Sequence, residues 1–315
     1  MPKDLLVVAD LGPTQIESLL DRAARFRLGL NQDKALAGRS AVMIFEKPSL
    51  RTKVSFELAV HQLGGHPVFL TGAEVGLGTR EPIEDVAHVL QRWVAVIIAR
   101  VNDHQTLVDL AQSSNIPVIN ALSDVEHPCQ AIADVLTIAQ HFGDLPTVRV
   151  PETGLLSGLK IAFVGDGNNC ARSLGQAAVA LGAHFHIASP EGYELDDESL
   201  ASMRGNGRTS SSVDSTNDPV EAVAGAHVVY TDVWASMGQE EEAMQRRAAF
   251  HGFSITPTLL TFARPDVILM HPMPAHYGDE ITPGMLKHPS SVAFDQAENR
   301  LHAQKAILDF LAKGK

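Results

Sequence analysis

The chain has 315 residues, 45% of them hydrophobic and 20% charged, with 25 basic against 37 acidic side chains. That composition excludes a disordered chain, and a formal charge of −12 at pH 7 excludes general nucleic-acid affinity, because no basic surplus exists to neutralise a phosphate backbone. The length implies one large or two mid-sized domains. Any anionic ligand must be gathered by a few local cations against the global field.

Met1-Pro2-Lys3-Asp4 lacks the apolar run of a signal peptide, and Val94-Ala95-Val96-Ile97-Ile98-Ala99 is strand-length rather than bilayer-length. The expectation is a soluble, cytoplasmic protein with no membrane partner. Cys129 and Cys170 are far apart and form neither a disulfide nor a metal framework. No cofactor and no metal are expected.

In chain order, Gln15 to Leu28 carries apolar residues at helical spacing, with Thr14 as its cap. Ala41-Val42-Met43-Ile44-Phe45 is a buried strand running into Pro48-Ser49, and Ser55 to Leu63 is helical up to the stop signal Gly64-Gly65. Pro67 to Leu70, Val94 to Val101 and Pro117 to Asn120 follow as strands, then a helix from Gln130 to Phe142. The segment Asp144 to Gly158 is rich in turn formers and either joins two domains or makes a surface excursion.

Beyond it, Leu159 to Gly165, His184 to Ala188, Ala226 to Tyr230 and Val267 to Met270 read as strands. Arg208 to Asp218 reads as a loop and Arg300 to Leu311 as a terminal helix. Strands separated by helix-length segments imply an α/β protein with two doubly wound parallel-sheet domains. Ligands gather at the carboxyl ends of such strands, which singles out the turns after Phe45, Ile98, Asn120, Val164, Tyr230 and Met270.

Five stretches carry chemistry. Ser49-Leu50-Arg51-Thr52 opens a helix, where hydroxyls, free backbone N–H groups and a guanidinium suit an anion, or equally an ordinary cap with a solvated Arg. Glu126-His127-Pro128-Cys129-Gln130 pairs an imidazole with an amide that together could polarise a carbonyl. Gly165-Asp166-Gly167-Asn168-Asn169 superficially resembles a dinucleotide fingerprint without its third glycine, and a turn presenting Asn amides is the better reading. Thr231-Asp232-Val233-Trp234-Ala235-Ser236-Met237-Gly238-Gln239 places an acid and a Ser-Met-Gly turn after a strand. His271-Pro272-Met273-Pro274-Ala275-His276 is stiffened by two prolines, and two histidines alone do not make a metal site.

Together these stretches resemble the aspartate/ornithine carbamoyltransferase family over essentially the whole chain. Phe45-Glu46-Lys47-Pro48-Ser49, Gly165 to Asn169, Asp232 to Glu240 and Asp295-Gln296-Ala297-Glu298-Asn299-Arg300-Leu301-His302 are most similar to its ornithine branch. The resemblance implies an enzyme with a carbamoyl phosphate-binding domain over 1–143, on which 296–315 pack back, and an ornithine-binding domain over 144–295. By the same resemblance Ser49, Leu50, Arg51, Thr52, Arg100, His127, Gln130 and Arg300 would bind carbamoyl phosphate, with Arg51, Arg100 and His127 catalytic. Asn169, Asp232, Ser236, Met237, Pro272 and Met273 would hold L-ornithine, the product being L-citrulline with phosphate released. Homotrimers or multiples of trimers are expected, the neighbouring subunit contributing from the loop near Gly76 to Arg80.

One departure stands out. The ornithine branch reads His-Cys-Leu-Pro where this chain reads His271-Pro272-Met273-Pro274, and the family's Cys there contacts ornithine. The aspartate branch places Pro after this His, but its Gln/Arg-rich acceptor loop is absent here. Aspartate, putrescine or acylated ornithine as acceptor, and a non-catalytic carbamoyl phosphate-binding homologue, are the alternatives.

Overall fold

The structure, a computed structural model, describes residues 2–143, 145, 152–235 and 242–313, the side chain of Ala243 excepted. It divides into two units, Met1–Leu136 with Asn299–Lys315, and Thr137–Glu298. Most of the connecting stretch expected between Asp144 and Gly158, and the positions Ser236 and Met237, lie outside the described residues.

Unit 1 runs α1 (Pro13–Arg27), β1 (Ser40–Phe45), α2 (Leu50–Gln62), β2 (His66–Thr71), α3 (Gly72–Val75), α4 (Ile83–Leu90), β3 (Val96–Arg100), α5 (His104–Gln112), β4 (Val118–Leu122) and into α6 (Pro128–Phe142). Its four strands are all parallel in the order β2-β1-β3-β4. Val42, Ile44, Ile97, Ala99 and Val118 are buried in one cluster with Leu107 and Leu110 of α5. Full burial is why β1 and β3 read as unbroken apolar runs rather than alternating strands. Each such aliphatic side chain is worth roughly 1.5–3 kcal/mol of transfer free energy.

Unit 2 runs β5 (Lys160–Val164), α7 (Asn169–Ala180), β6 (His184–Ala188), α8 (Asp197–Asn206), β7 (Val213–Thr216), α9 (Pro219–Val223), β8 (Val228–Tyr230), α10 (Ala243–Ala249), α11 (Pro257–Leu260), β9 (Ile268–Met270) and the start of α12 (Ala293–Lys313). Its five strands are again parallel, in the order β7-β6-β5-β8-β9. The core joins Ala162, Val164, Val229 and Leu269 to Trp234, Phe250, Ile255 and Ile281.

Several boundaries correct the expectations. Arg208 to Asp218 is not all loop, because β7 occupies Val213–Thr216 and pairs with β6. It is an edge strand whose Asp214 and Ser215 face solvent, so its composition hides it. Helix α1 is capped by Gly12 with Pro13 at its first position, not by Thr14. Helix α2 starts at Leu50 rather than Ser55, because the Ser49 hydroxyl accepts from Thr52 N at 3.3 Å and so caps an earlier, polar turn. Helices α6 and α12 likewise start earlier than expected, at Pro128 and Ala293.

Strand order narrows the ligand loops. In unit 1 the chain goes from β1 to β2 on one side and returns past β1 to β3 on the other, so the crevice opens past Phe45 and Arg100, which are register partners. In unit 2 the reversal lies between β5 and β8, past Val164 and Tyr230.

Candidate functional site

The crevice of unit 1 is walled by cations. Arg51 sits in the first turn of α2, where the helix dipole already favours an anion. Arg100 is the last residue of β3, 8% exposed. Two backbone staples fix their relation: Glu46 N donates to Arg100 O at 2.9 Å, and the Glu46 carboxylate accepts from Asn102 N at 2.7 Å. Glu46 thus carries the β1–β3 pairing one step past the strands.

Arg300 is buried on α12 and donates to Thr52 Oγ1 at 2.6 Å and to Gln130 Oε1 at 2.8 Å. It knits the first turns of α2 and α6 together. Gln130 is turned further by its amide donating to Asp134 at 2.7 Å. These are charge-assisted bonds in a dry environment, where losing one partner strands the others.

His127 is buried, and its ring is held well below the usual imidazole range, first by desolvation and then by Arg300 and Arg100. It is therefore neutral at physiological pH and suited to donating a hydrogen bond rather than carrying charge. Cys129 beside it donates to Asn120 O at 3.3 Å, and burial pushes its thiol up to about 12, so it is inert. Ser49 and Leu50 complete the loop, Leu50 with its side chain exposed and its backbone in the α2 first turn.

The crevice of unit 2 has the opposite character. Asp232 follows β8, is 9% exposed, and accepts from Asn168 Nδ2 at 3.1 Å and from Val233 N at 2.8 Å. Burial raises its carboxyl above the ordinary range, opposed by His271, the Val233 N–H, Cys170 and Asn168. Asn168 caps α7, its Oδ1 accepting from Cys170 N and Ala171 N, so one amide ties the helix start to Asp232. Asn169 is the next residue, at the first position of α7.

Asp166 is paired with Arg246 at 2.9 Å, and Arg246 also donates to Trp234 O at 2.8 Å. Burial still lifts Asp166 to about 6. The second glycine does not open onto a ligand: Gly167 N donates to Tyr193 O, and a Cβ there would stand 2.4 Å from Leu195 N. A dinucleotide pyrophosphate needs that backbone approachable, so the nicotinamide reading fails on geometry.

After β9, His271 is fully buried. Met273 N donates to its Nδ1 at 2.9 Å, so its Nε2 bears the proton given to Glu280 Oε1 at 3.0 Å. Glu280 also accepts from His276 N, and His271 N donates to Gln296 Oε1 at 2.9 Å. Met273 has a left-handed φ of 55°, a conformation costing about 1 kcal/mol or more outside glycine, and this clamp holds it. Pro272 and Met273 are thereby a fixed turn with no acid or base. Both nitrogens of His271 are committed to that clamp, and among the described residues no group of three or more His, Cys, Asp or Glu could hold a metal ion.

Of the residues expected in the first group, all eight fall in unit 1, and Thr52, Gln130 and Arg300 meet directly. Asn169, Asp232, Pro272 and Met273 fall in unit 2. The motifs had not singled out Glu46, Asn168, Arg246 or Glu280 as site residues. Each acts through a partner outside its own stretch, and Glu46 and Asn168, inside quoted motifs, carried the only signal.

Comparison with known proteins matches residues 3–140 to the aspartate/ornithine carbamoyltransferase carbamoyl-P binding domain and 157–311 to the Asp/Orn binding domain of the same family. A relative named anabolic ornithine carbamoyltransferase, from Pyrococcus furiosus, is 45% identical over 316 residues, 99% of this chain and 97% of its own length. The crystal structure of ornithine carbamoyltransferase from Thermus thermophilus superposes with a TM-score of 0.87 at 42% identity, covering 99% of this chain and 100% of that one. A solved mutant of N-acetyl-L-ornithine transcarbamylase superposes at 0.85 with 30% identity, covering 98% and 99%. The chain belongs to the aspartate/ornithine carbamoyltransferase family.

Proposed function

We propose that this protein transfers the carbamoyl group of carbamoyl phosphate to the side-chain amine of L-ornithine, giving L-citrulline and phosphate. The observation that carries this reading is the division of charge within one chain. A cation-walled anion site closes one sheet's switch point, and a buried carboxylate with amides closes the other's. Unit 1 is the carbamoyl phosphate-binding domain in this reading and unit 2 the amino-acid-binding domain.

Ser49, Leu50, Arg51, Thr52 and Arg100 take the phosphate. His127 and Gln130 take the carbamoyl end, and Arg300 holds Thr52 and Gln130 in register. Asp232 receives an ammonium group, with Asn169, Ser236, Met237, Pro272 and Met273 as its neighbours on ornithine. An alkylamine such as that of ornithine has a pKa near 10.4, as for Lys, and arrives protonated, so one proton must leave before attack. The nitrogen then bonds to the carbamoyl carbon, the carbon–oxygen bond to phosphate breaks, and phosphate departs with the electron pair.

Arg51 and Arg100 stabilise the charge growing on the phosphate, and a neutral His127 donates to the carbamoyl oxygen. Pro272 takes no proton and His271 has no uncommitted nitrogen, so the proton passes to phosphate, to Asp232 or to water. Side-by-side assays of citrulline, carbamoyl-aspartate, carbamoyl-putrescine and acylated citrulline formation test the acceptor. Faster turnover of any other amine than of ornithine overturns it, and binding of carbamoyl phosphate without turnover of any acceptor would establish the non-catalytic alternative that Pro272 favours.

The direction we propose is biosynthetic, toward arginine, as the name of the P. furiosus relative suggests. The compartment we assign is the cytoplasm; no described helix is long and apolar enough to cross a membrane. The assembly we assign is a homotrimer or a multiple of trimers. Leu50, Val54 and Leu58 form an exposed apolar stripe along α2, and Val68 is exposed on edge strand β2. Such a stripe beside an open edge calls for a partner. Sedimentation would show the trimer, and Val54→Asp, which sets a charge in the middle of the stripe, should dissociate it. A variant that sediments as the wild type does would clear α2 of the interface.

A further inference from the structure

The turn that carries His127 is wired to a segment more than a hundred positions away. Leu5 lies alongside β4: Leu5 N donates to Val118 O at 2.9 Å, and Asn120 N donates to Leu5 O at 2.8 Å. Asn120, inside β4 and fully buried, spreads its side-chain amide over three acceptors, Leu6 O at 2.8 Å and Ser123 Oγ and Glu126 O each at 3.2 Å. Glu126 O also accepts from Ser123 N at 3.0 Å, and Glu126 N donates to Ser123 Oγ at 3.2 Å. The Glu126 side chain is buried as well, and its Oε2 accepts from Val8 N at 2.8 Å. Both backbone groups of the residue before His127 are thus committed. On the other side, His127 O accepts from Gln130 N and Ala131 N, the opening bonds of α6. His127 is pinned before and after, and every partner belongs to unit 1.

We propose that Asn120 and Glu126 are positioning residues for His127, anchored on residues 5–8, and that they aim its imidazole N–H at the carbamoyl oxygen. This rests on the reading of unit 1 as the carbamoyl phosphate site. A hydrogen bond weakens steeply with angle, and a donor helps a developing charge only where the oxygen will stand. The two positions make opposite demands. Asn120 must donate to three oxygens, so an Asp of the same shape, able only to accept when ionised, would repel all three. Glu126 must only accept from Val8 N, which the amide oxygen of Gln does equally.

The experiment measures kcat and KM for both substrates in the full-length wild type, Asn120→Asp, Glu126→Ala and Glu126→Gln, each also combined with His127→Ala. Calorimetry with inorganic phosphate follows the anion subsite. The expected result is a kcat lowered about tenfold or more in Asn120→Asp and Glu126→Ala and near wild type in Glu126→Gln, with ornithine KM and phosphate affinity unchanged. In the His127→Ala background the same changes should add little, because the group they aim is gone. Should Asn120→Asp fail to fold, the two Glu126 variants carry the comparison. Unchanged kcat in the Asp and Ala variants overturns the role, as do losses that persist in full without His127; either leaves the carbamoyl phosphate reading standing. A wild type that transfers carbamoyl to no amine overturns that reading and this role together.

Discussion

The two sheets present the same architectural opportunity and fill it with opposite chemistry. At the β1–β3 reversal, Arg51, Arg100 and Arg300 gather around a helix start, and burial together with the field of Arg300 and Arg100 keeps His127 neutral. At the β5–β8 reversal, Asp232 is buried and Asp166 half-buried, and desolvation pushes both carboxyls upward. A parallel sheet supplies the crevice, and the side chains just past the strand ends decide the ligand's charge. The difference teaches that, in a protein of net negative charge, an anion site has to be assembled from residues distant in sequence. The acid site is built largely within the two turns that follow β5 and β8, strands that are neighbours in the sheet.

That contrast can be broken at either end. Replacing Arg51 by Ala should have the largest effect, a loss of carbamoyl phosphate binding on the order of a thousandfold measured by calorimetry, since it removes a charge-assisted bidentate donor in a desolvated crevice. Unchanged affinity would show that the anion site lies elsewhere. Asp232→Asn should lower kcat/KM for ornithine about a hundredfold while leaving carbamoyl phosphate binding intact, because a neutral amide cannot pair with an ammonium. Equal losses for both substrates would erase the division of labour between the crevices.

A pH measurement sharpens the comparison on the acidic side. Asp166 is raised to about 6 from an unfolded value of 3.8, so the native state binds more protons across that window and stability falls as pH rises through it. Its side chain is 16% exposed. Asp166→Asn should flatten this dependence between about pH 4 and 6, by on the order of 1–3 kcal/mol in urea unfolding. A slope identical to wild type would place the titration on another group.

The smallest effect concerns the staple. Glu46→Ala should raise KM for carbamoyl phosphate about tenfold by releasing Asn102 N and loosening Arg100, at little cost to ornithine KM. Glu46→Gln, whose amide oxygen still accepts from Asn102 N, should stay near wild type. If the Gln variant is as poor as the Ala variant, the charge of Glu46 matters rather than its bond.

Family, α/β class and most strands were legible in the sequence, and the residues proposed for both crevices stand out there because most lie in short contiguous stretches. Buried parallel strands announce themselves as apolar runs, and Ser49 to Thr52 or Gly165 to Asn169 carry turn and cap chemistry within a few residues. The strand β7 escaped because a polar edge strand has the composition of a loop.

What tertiary structure alone decided is which of those turns matter and who supports them. Six strand ends were eligible, and strand order, set by non-local pairing, selected the β1–β3 and β5–β8 reversals. The partners Glu46–Asn102, Arg300–Thr52, Arg246–Asp166, Glu280–His271 and Asn168–Asp232 lie 56, 248, 80, 9 and 64 positions apart or join different elements, so no local pattern encodes them. Local propensity acts over a few residues, whereas a buried charge finds its partner only when burial brings the elements together.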